Sequence, residues 1–430
     1  MFPQNRFPLT PALWYDTAVP SPTTSRLSGN AETDTLVIGA GYAGLSTALH
    51  LAQAGISCMV LDAREIGFGG SGRNGGQLVP GLKKDPSELL STYGPEKGRR
   101  LITFADSTAR TVLSLIDTHH LDVPHTRNGW IQPAHTAAAL EMVHRRAADW
   151  QKQGAPVHTA SRSEMADLLG TDQYHGGWFD ERGGSVQPLS YVRELARITI
   201  AAGVPVHTDT PVQSISKQGS GWQVTTESGH QVTARRVVVC TNAYSDGIWK
   251  DLKQSVVDPN TYQVATAPLP AEIAKTIIPQ GQPVSDTRNL LLYFRKDHTG
   301  RFLMGGRGPF REPRGKEDWD HLKKAIATLY PQLKDIPFEY YWCGRVSVTR
   351  DYMPHLHQPE PGLILNIGCQ GRGIGLQTAM GKAIAAYLQT GREAELPVDF
   401  SPIQRLPFYG MRKIYVGALI KWYRYLDSRN

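Results

Sequence analysis

The sequence predicts an α/β protein in which a Rossmann-like domain is interleaved with an α+β domain built on an antiparallel sheet. Two observations lead to this fold class. A strand, a glycine-rich turn, a helix and a second strand follow one another over residues 34–64, and a similar pattern returns at 363–388. Between them, residues 251–342 show longer strands joined by hairpins. The two domains are therefore expected to share the chain in alternating segments.

Residues 34–64 carry the pattern of a dinucleotide-binding unit, with Gly39-Ala-Gly41-Tyr-Ala-Gly44 between an apolar strand and an apolar-periodic helix. Gly39 permits the tight turn, and Gly41 lets the backbone approach a pyrophosphate at the positive helix N-terminus. Gly44 lets the helix pack closely on the strand. Asp62 ends the second strand, where it can accept hydrogen bonds from a ribose hydroxyl. The unit therefore predicts nucleotide binding rather than an ordinary turn between strand and helix.

Two further glycine-rich loops lie at residues 67–77 and 368–375. A dissociable nicotinamide cofactor needs only the first loop, whereas a tightly held flavin must have its pyrophosphate, ribityl chain and ring system enclosed. Ser71, Arg73 and Asn74 of the second loop suit pyrophosphate and ribityl oxygens. The third loop directs a helix N-terminus at its ligand, where the helix dipole stabilises negative charge on a reduced flavin. Three such loops together favour a flavin.

The remaining elements follow from hydrophobic periodicity and turn residues. Residues 95–153 are expected to be mostly helical around an extended piece near 129–132, and 177–188 to be rich in turns. The predicted strands are 204–207, 212–215, 222–226, 230–233, 236–242, 261–267, 290–295, 301–306 and 363–367, and the predicted helices are 189–202 and 376–388. Residues 1–33 are expected to form a surface arm pinned by Trp14 and Tyr15.

The composition is that of an ordinary globular protein, with 430 residues of which 40% are hydrophobic and 20% charged. A net charge of +7 is modest, and we expect no nucleic-acid partner. The N-terminal residues lack the pattern of a signal peptide, and no apolar run approaches the roughly 20 residues of a membrane span. The four cysteines form no CxxC pair, so we expect reduced, buried thiols and a cytoplasmic protein.

Four stretches of the sequence occur together: DTLVIGAGYAGLSTALHLAQAG…LDAREIGFGGSGRNGGQ, CTNA at 240–243, WCGRVSVTRDYMP at 342–354 and GCQGRGIGLQTAMGK at 368–382. They resemble the D-amino-acid oxidase superfamily of flavoproteins, which includes glycine oxidase and monomeric sarcosine oxidase. The likeness is greatest to its branch of γ-glutamylputrescine oxidase-like and L-pipecolate oxidase-like enzymes, for which SGRNGGQ is characteristic. It covers nearly the whole chain.

The resemblance implies a Rossmann-like FAD-binding domain interleaved with a substrate domain. The implied division is a 1–33 arm, a discontinuous FAD-binding domain (34–94, 178–250 and 343–395), a substrate domain (95–177 and 251–342) and an amphipathic C-terminal segment (396–430). The residues predicted to contact FAD are Gly39, Gly41, Tyr42, Ala43, Gly44, Asp62, Ala63, Arg64, Gly70, Ser71, Gly72, Arg73, Asn74, Gly75, Gly76, Gln77, Val212, Thr241, Asn242, Ala243, Gly344, Gly371, Arg372, Gly373, Ile374 and Gly375.

The implied reaction oxidises a C–N bond to an imine by hydride transfer to flavin N5. Carboxylate-bearing amines such as L-pipecolate, γ-glutamylputrescine or an N-methyl amino acid are expected substrates, and O2 or a membrane quinone the electron acceptor. The step needs a free nitrogen lone pair and good positioning rather than a strong base. An arginine is the natural carboxylate anchor. The catalytic candidates are Arg345, Arg372, Arg307, Tyr262 and Tyr293, with Arg295 as a further arginine, and the two tyrosines are expected on the wall of the site or as hydrogen-bonding groups. For any single one of Arg295, Arg307 and Arg345, a surface salt bridge is the favoured alternative.

Two alternatives and two departures from the family pattern stay open. An NAD(P)-dependent dehydrogenase would fit Asp62 but leave two glycine loops without a purpose, and a non-catalytic flavin electron carrier would need no substrate. Arg372 stands where many relatives carry His, so we expect different surroundings for the flavin pyrimidine. Cys343 lies near the site of covalent attachment in some sarcosine oxidases, although non-covalent FAD is favoured over a Cys-linked form. His355 and His357 form an HxH motif that we interpret as loop histidines, so no metal site is expected.

The C-terminal segment 411–429 has the pattern of a basic amphipathic helix. Its predicted apolar stripe is Met411, Ile414, Tyr415, Ala418, Leu419, Trp422, Tyr425 and Leu426, whereas Val416, Ile420 and Tyr423 blur the boundary between the faces. The stripe either packs on the protein's own core, which we favour, or contacts an anionic membrane surface. The second possibility would make the protein peripheral on the inner face of the membrane.

Overall fold

The computed structural model describes residues 12–429. Its helices are α1 (Leu13–Thr17), α2 (Tyr42–Gln53), α3 (Pro86–Thr118), α4 (Ala137–Gln151), α5 (Arg162–Leu169), α6 (Pro188–Ala201), α7 (Ala271–Ala274), α8 (Asp320–Leu329), α9 (Gly373–Thr390) and α10 (Arg412–Arg429). Its strands are β1 (Ala31–Ile38), β2 (Cys58–Leu61), β3 (Gln77–Leu78), β4 (His125–Thr126), β5 (Trp130–Pro133), β6 (Val157–Ala160), β7 (Gly177–Asp180), β8 (Gly184–Val186), β9 (Val206–His207), β10 (Val212–Gln218), β11 (Gly221–Thr226), β12 (Gln231–Val239), β13 (Asn260–Pro268), β14 (Val284–Ser285), β15 (Tyr293–Lys296), β16 (Arg301–Arg307), β17 (Phe338–Arg345), β18 (His355–Glu360) and β19 (Leu363–Ile367).

The first sheet is Rossmann-like and holds the predicted nucleotide-binding unit. Its order is β10-β11-β12-β1-β2-β9, and β19 pairs with β12 and with β18. The strands β9, β2, β1, β12 and β19 run parallel, and the buried helices α2 and α9 pack against each other on one face. At the centre of this sheet, β2, β19 and the last three residues of β1 and of β12 are almost entirely apolar and buried, because both of their faces are covered. The predicted fold class is confirmed.

One expectation about this sheet was wrong. Residues 230–233 and 236–242 were expected to form two strands, but β12 is one continuous strand. Its first half pairs antiparallel with β11, and its second half pairs parallel with β19, while β1 runs along its whole length. The exposed, polar start of β12 and its buried, apolar end therefore reflect two different neighbours on the same strand.

The second sheet is largely antiparallel, with the order β17-β13-β16-β15-β14-β5-β7-β6. It alternates along the chain with the first sheet, as the predicted division does, but two of the predicted boundaries fall inside strands. The boundary at 177/178 interrupts β7, and that at 342/343 interrupts β17. The turn-rich passage 177–188 in fact contains both β7 and β8, and β8 joins β3 and β4 in a small third sheet.

The N-terminal arm is anchored in the protein at residues 12–14, where its described part begins, and most of residues 15–30 lie on the surface as expected. The Trp14 side chain is fully buried, and its indole Nε1 donates a hydrogen bond to the Asn74 carbonyl at 2.8 Å. Its ring packs edge-on against Trp342 and lies under the guanidinium of Arg295. Residues 1–11 of the predicted arm lie outside the described residues. The expected pinning by Trp14 is confirmed, and the arm ends where β1 begins, at Ala31.

The face that α10 turns to a large cavity shares Tyr415 and Leu419 with the predicted stripe but is centred on other residues. Val416, Ile420 and Tyr423, which recur at helical spacing, are the more buried apolar positions and face this cavity. Ile414 and Trp422 of the predicted stripe are 67% and 55% exposed. The helix carries apolar residues on several sides, so periodicity could not identify its packed face. No helix among residues 12–429 combines the length and apolar character needed to cross a bilayer.

Candidate active site

A cavity of about 1620 Å³ lies between the two large sheets, and residues from both line it. Its volume exceeds the roughly 300–1,000 Å³ of a typical small-ligand pocket, so it has room for a dinucleotide and a second small molecule. One end lies at the carboxyl ends of β1, β2 and β12, which is where ligands bind in open parallel sheets. The other end lies against β15, β16 and the helix α10.

The turn after β1 leaves no space for side chains. Gly39 has a φ of +112°, and a Cβ there would lie 3.0 Å from the Cys240 carbonyl oxygen. A Cβ at Gly41 would lie 2.9 Å from Ser71 Oγ. The Ser71 hydroxyl accepts a hydrogen bond from the Tyr42 backbone N–H at 3.2 Å, so the first and second glycine loops meet at the N-terminus of α2. This junction offers backbone N–H groups and the positive end of a helix to an anion.

Asp62 lies at the end of β2 and is held by the backbone on both sides. Its Oδ2 accepts a hydrogen bond from the Ala40 N–H at 2.6 Å, and its Oδ1 accepts one from the Arg64 N–H at 2.9 Å. Burial raises the pKa of the Asp62 carboxyl to about 6, although these two hydrogen bonds act in the opposite direction. The carboxylate therefore faces the cavity in the orientation in which it can accept from a sugar hydroxyl.

Most of the predicted cofactor contacts line the cavity. They are Gly39, Gly41, Tyr42, Ala43, Asp62, Ala63, Arg64, Gly70, Ser71, Asn74, Gly75, Gln77, Val212, Thr241, Asn242, Gly371, Gly373 and Ile374. Eight others do not line it, namely Gly44, Gly72, Arg73, Gly76, Ala243, Gly344, Arg372 and Gly375. Several of these glycines serve packing instead: a Cβ at Gly44 would lie 1.9 Å from the Gly39 carbonyl oxygen, and one at Gly375 would lie 3.0 Å from the Thr108 backbone.

Arg73 has a structural role rather than the predicted contact with a pyrophosphate. Its Nε donates to the Phe68 carbonyl at 2.8 Å, and its guanidinium lies over the Phe68 ring. The Arg73 carbonyl accepts hydrogen bonds from Gln263 Nε2 at 2.5 Å and from Trp342 Nε1 at 3.1 Å. Arg73 therefore ties the second glycine loop to the antiparallel sheet, and its side chain points away from the cavity.

Arg372 also lies in a different position from the predicted one beside the flavin. Gly371 and Gly373 on either side of it line the cavity, but the Arg372 guanidinium turns outward and donates to the Pro80 carbonyl at 2.5 Å. Burial, followed by the charge of Arg146, lowers the pKa of Arg372 to about 10. The side chain therefore does not face the place where a flavin pyrimidine would lie. The predicted direct charge on a reduced flavin is not what this geometry provides.

At the far end of the cavity, Arg307 has no partner among the described residues. Its Nη1 is buried without a hydrogen-bond acceptor, and it forms no ion pair. Burial lowers the pKa of Arg307, and the neighbouring hydroxyls of Tyr293 and Tyr352 oppose that shift. Tyr293 lines the cavity beside it, with its hydroxyl 2.8 Å from Thr261 Oγ1. This end therefore presents an uncompensated cation that suits an anionic ligand group.

The other catalytic candidates differ in position. Arg345 lines the cavity but forms ion pairs with Glu312 at 3.3 Å and Asp246 at 3.9 Å. Tyr262, predicted as a wall or hydrogen-bonding group of the site, does not line the cavity: it is fully buried in the core of the second domain, and its hydroxyl donates to the Arg311 carbonyl at 2.7 Å. The reason is the alternation of β13, which directs Thr261 and Gln263 towards the first domain and Tyr262 away from it.

Arg295 and Cys343 are structural residues as well. Arg295 donates to the carbonyls of Gly75 and Val186, both at 2.9 Å, and does not line the cavity. Cys343 is buried in the same core as Tyr262, and burial raises the pKa of its thiol to about 12. A thiol in that position is protonated and inert, which agrees with a non-covalent cofactor. The predicted loop histidines His355 and His357 in fact lie on β18.

Sequence reasoning missed three parts of the cavity wall. Lys83, in the loop between β3 and α3, extends into the cavity. Tyr352 lines it with a φ of +59°, a backbone conformation that no local sequence signal indicated. The inner face of α10, with Tyr415, Val416, Leu419, Ile420 and Tyr423, closes the far end. Lys83 and α10 lie outside the quoted motifs, and Tyr352 lies within the 342–354 stretch without being singled out, so only the assembled fold brings these residues together.

The residues present fit FAD. The close-packed Gly39–Gly41 turn and the helix N-terminus suit a pyrophosphate, Asp62 suits a ribose, and Val212 lies beyond Asp62 at the end expected for the adenine. The Gly371–Ile374 turn at the N-terminus of α9 faces the middle of the cavity and suits the polar edge of an isoalloxazine. A nicotinamide cofactor would leave this third loop unused.

Comparison with known proteins gives three kinds of match. The family described as "DAO: FAD dependent oxidoreductase" matches residues 34–387. The chain is 30% identical to "Probable oxidoreductase OrdL" of Rhizobium meliloti (strain 1021) over 98% of each protein. It is also 30% identical to the gamma-glutamylputrescine oxidoreductase of Escherichia coli (strain K12), over 89% of each. Glycine oxidase from Geobacillus kaustophilus superimposes with a TM-score of 0.72 at 20% identity, covering 88% of this chain and 99% of that one, which shows a shared fold.

Proposed function

The chain belongs to the DAO family of FAD-dependent oxidoreductases, and from that premise we propose that it oxidises the C–N bond of a small, carboxylate-bearing amine to an imine. The observation that carries the proposal is Arg307, a buried guanidinium in the cavity wall without a partner among residues 12–429. A buried cation of this kind is costly unless a ligand supplies the opposite charge. A substrate carboxylate meets that need.

The remaining residues of the far end suit the orientation of such a substrate. When bound, FAD supplies the acceptor for the hydride that leaves the carbon next to nitrogen. Arg307 binds the carboxylate, and the Tyr293 hydroxyl, oriented by Thr261, offers a hydrogen bond beside it. Tyr423 and Ile420 of α10 cover this end with apolar surface, which excludes water from the reacting groups. The protein thus contributes position and electrostatics rather than chemistry of its own.

The substrate proposal is tested by anaerobic bleaching of the flavin absorbance. We expect L-pipecolate, γ-glutamylputrescine or an N-methyl amino acid such as sarcosine to bleach the purified protein, and amines without a carboxylate to do so poorly. An Arg307→Met variant should raise the concentration for half-maximal rate at least about 30-fold, because loss of one partner of a buried charge pair costs roughly 2 kcal/mol or more.

The matched control for this variant is Arg301→Met. Arg301 lies on the same strand, pairs with Glu339 and is absent from the cavity wall, so it should leave the half-saturating concentration unchanged. An Arg307→Met enzyme with wild-type dependence on substrate concentration would overturn the proposed anchor. A protein that holds FAD but is bleached by none of the amines would contradict the proposed reaction and favour an electron carrier.

The second part of the proposal is the electron acceptor, for which we favour a membrane quinone over O2. On the side of α10 that faces away from the protein, Ile414 and Trp422 are exposed beside Lys413, Lys421 and Arg424. An exposed aromatic residue among cations suits an anionic membrane interface. The supporting test is sedimentation of the holoenzyme with anionic vesicles at low salt, which Trp422→Ser should weaken. Absence of binding by the wild type under those conditions would favour O2.

A further inference from the structure

Lys83 is a second cation in the cavity without a partner. It lies in the loop between β3 and α3, and its side chain is exposed to the interior of the cavity. It makes no hydrogen bond or ion pair with any residue of the described range 12–429. The next residue, Lys84, instead forms an ion pair with Glu88. The two adjacent lysines therefore have opposite environments.

The charges around Lys83 are positive. Arg307 faces it from β16, Arg146 from α4, and Arg372 from the start of α9. Arg146 is already neutralised by Asp85 at 2.8 Å, and Arg372 is bound to the Pro80 carbonyl. Asp180, whose charge acts on Arg372, pairs with Arg182 at 2.6 Å. Asp85 and Asp180 thus pair with other cations, and Lys83 forms no ion pair with any of residues 12–429.

This environment disfavours a charged lysine. Desolvation by the surrounding protein, and then the charges of Arg372, Arg146 and Arg307, lower the pKa of Lys83 to about 7, although the side chain keeps open surface inside the cavity. A substantial fraction of the side chain is therefore the neutral amine at neutral pH, with a lone pair directed into the cavity. A free amine substrate, by contrast, has a pKa near that of an ordinary lysine, about 10, and reaches the enzyme as an ammonium ion.

We propose that Lys83 accepts the proton of the substrate's ammonium group and so prepares the amine for oxidation, an inference that rests on the proposed function. In this step one N–H bond of the ammonium breaks and one N–H bond to Lys83 Nζ forms. The electron pair stays on the substrate nitrogen, so nothing is oxidised or reduced. The substrate carboxylate on Arg307 favours the transfer, since it adds a negative charge near the lysine as it becomes an ammonium ion. The proton later leaves to water.

The first experiment measures the protonation state of Lys83 without using the reaction. The FAD-loaded protein is labelled with trace acetic anhydride between pH 5 and 11, and acetylation is quantified peptide by peptide by mass spectrometry. We expect the reactivity of Lys83 to have its midpoint near pH 7 and that of Lys84 to have it at or above about pH 10. A Lys83 midpoint above pH 9, or no labelling up to pH 11, overturns the proposal.

The second experiment separates a proton acceptor from an anion-binding group. It measures the pH dependence of anaerobic flavin bleaching by L-pipecolate, or by sarcosine if L-pipecolate does not bleach the wild type. Lys83→Met should lower kcat/KM at least about 100-fold at pH 7 and approach the wild type near pH 10, where the amine is itself neutral. Lys83→Arg should be as slow as Lys83→Met at pH 7, because the guanidinium of the new arginine stays protonated and cannot accept a proton.

A different result with these two variants would identify Lys83 as a group that binds the substrate anion. If Lys83→Arg retained the wild-type rate and Lys83→Met only raised KM at every pH, the proposal would be wrong. If neither amine bleached the wild type, the proposed substrate class would fail, while the labelling midpoint would still decide the protonation state of Lys83. Lys84→Met serves as the control, and its pH profile should match that of the wild type.

Discussion

The carboxylate of Asp427 on the last turn of α10 is bound to Asn289 in the loop before β15. Asp427 Oδ1 accepts hydrogen bonds from the Asn289 backbone N–H at 3.0 Å and from its side-chain Nδ2 at 2.9 Å, and Oδ2 accepts from the Leu290 N–H at 2.9 Å. Asn289 and Leu290 also line the cavity. This carboxylate therefore ties the last turn of the C-terminal helix to the wall of the cavity.

Asp427→Ala should loosen that helix. Loss of the three acceptor contacts removes the polar contacts that Asp427 makes with the loop before β15, so proteolytic cleavage within residues 405–429 should accelerate about tenfold, as expected for a loss of about 1.4 kcal/mol. The concentration of amine substrate for half-maximal bleaching should rise as well. Lys413→Ala, on the exposed side of the same helix, is the control. Unchanged cleavage in Asp427→Ala would show that α10 is held by other contacts.

Gly41→Val should give a folded protein without FAD. The valine side chain would enter the space that the pyrophosphate needs and press against Ser71 Oγ, 2.9 Å from the new Cβ. The flavin-to-protein ratio after purification measures the effect, and circular dichroism checks the fold. Gly29→Val is the matched control, because a Cβ at Gly29 meets no atom within 4 Å. Full flavin occupancy in Gly41→Val would contradict the assignment of this turn.

Tyr262 and Tyr293 are both catalytic candidates of the sequence analysis, but their replacement by Phe should have different effects on stability and KM. Tyr262→Phe removes a buried hydrogen bond to the Arg311 carbonyl and should lower the free energy of unfolding by about 1 kcal/mol, with no change in KM. Tyr293→Phe removes a hydroxyl from the cavity wall and should raise KM about two- to tenfold. Urea unfolding and substrate titration of both variants test this pair. A larger KM effect for Tyr262→Phe would contradict the assignment.

Lys83→Met should stabilise the protein most at low pH. The pKa of Lys83 is about 7 in the folded protein and about 10.5 when unfolded, so between these values the unfolded chain binds the extra proton. Wild-type stability therefore rises with pH across this window relative to the variant. The gain from Lys83→Met should be greatest below pH 7 and vanish towards pH 10.5. Lys84→Met should instead lower the stability of the folded protein below pH 10, because Glu88 raises the pKa of Lys84. Thermal unfolding at pH 6 and pH 10 distinguishes the two.

Arg372→Met should raise the pKa of Lys83 and leave the reduction potential of the flavin unchanged. Arg372 is the charge that lowers the pKa of Lys83 most after burial, so its removal should raise the acetylation midpoint of Lys83. The reduction potential of the flavin should stay the same, since the guanidinium does not line the cavity. Arg372→Lys, which keeps the charge, should leave the midpoint near pH 7. A lower flavin reduction potential in Arg372→Met would instead support the direct contact between Arg372 and the flavin that the sequence predicted.

The nucleotide end of the site was predictable because its signals are local. The glycines at 39–44, the periodic helix and Asp62 all fall within 31 consecutive residues, so spacing alone determines which backbone groups meet. The substrate end was predictable only in part. Arg307 and Tyr293 line the cavity as expected, but Tyr262 lies on the other side of its strand. A shift of one residue in a strand reverses the face of a side chain, and the sequence did not determine that alternation.

Lys83 and α10 illustrate what sequence alone could not give. The environment of Lys83 is formed by Arg146, Arg307 and Arg372, which come from three distant parts of the chain. The inner face of α10 depends on where its last turn is fixed, through Asp427. Both properties are tertiary, because they depend on which distant segments become neighbours rather than on any local pattern.

The position of β12 between β1 and β19 also has a consequence for biosynthesis. The parallel strands that carry the cofactor turns begin at Ala31, but their neighbour β19 ends at Ile367, and the helix that follows it ends at Thr390. The ribosome must therefore release almost the entire chain before the first glycine turn has all its neighbours. Such long-range strand pairing is slow and leaves apolar edges uncovered in the meantime. The nascent protein is consequently expected to depend on chaperones and to acquire its cofactor only after translation ends.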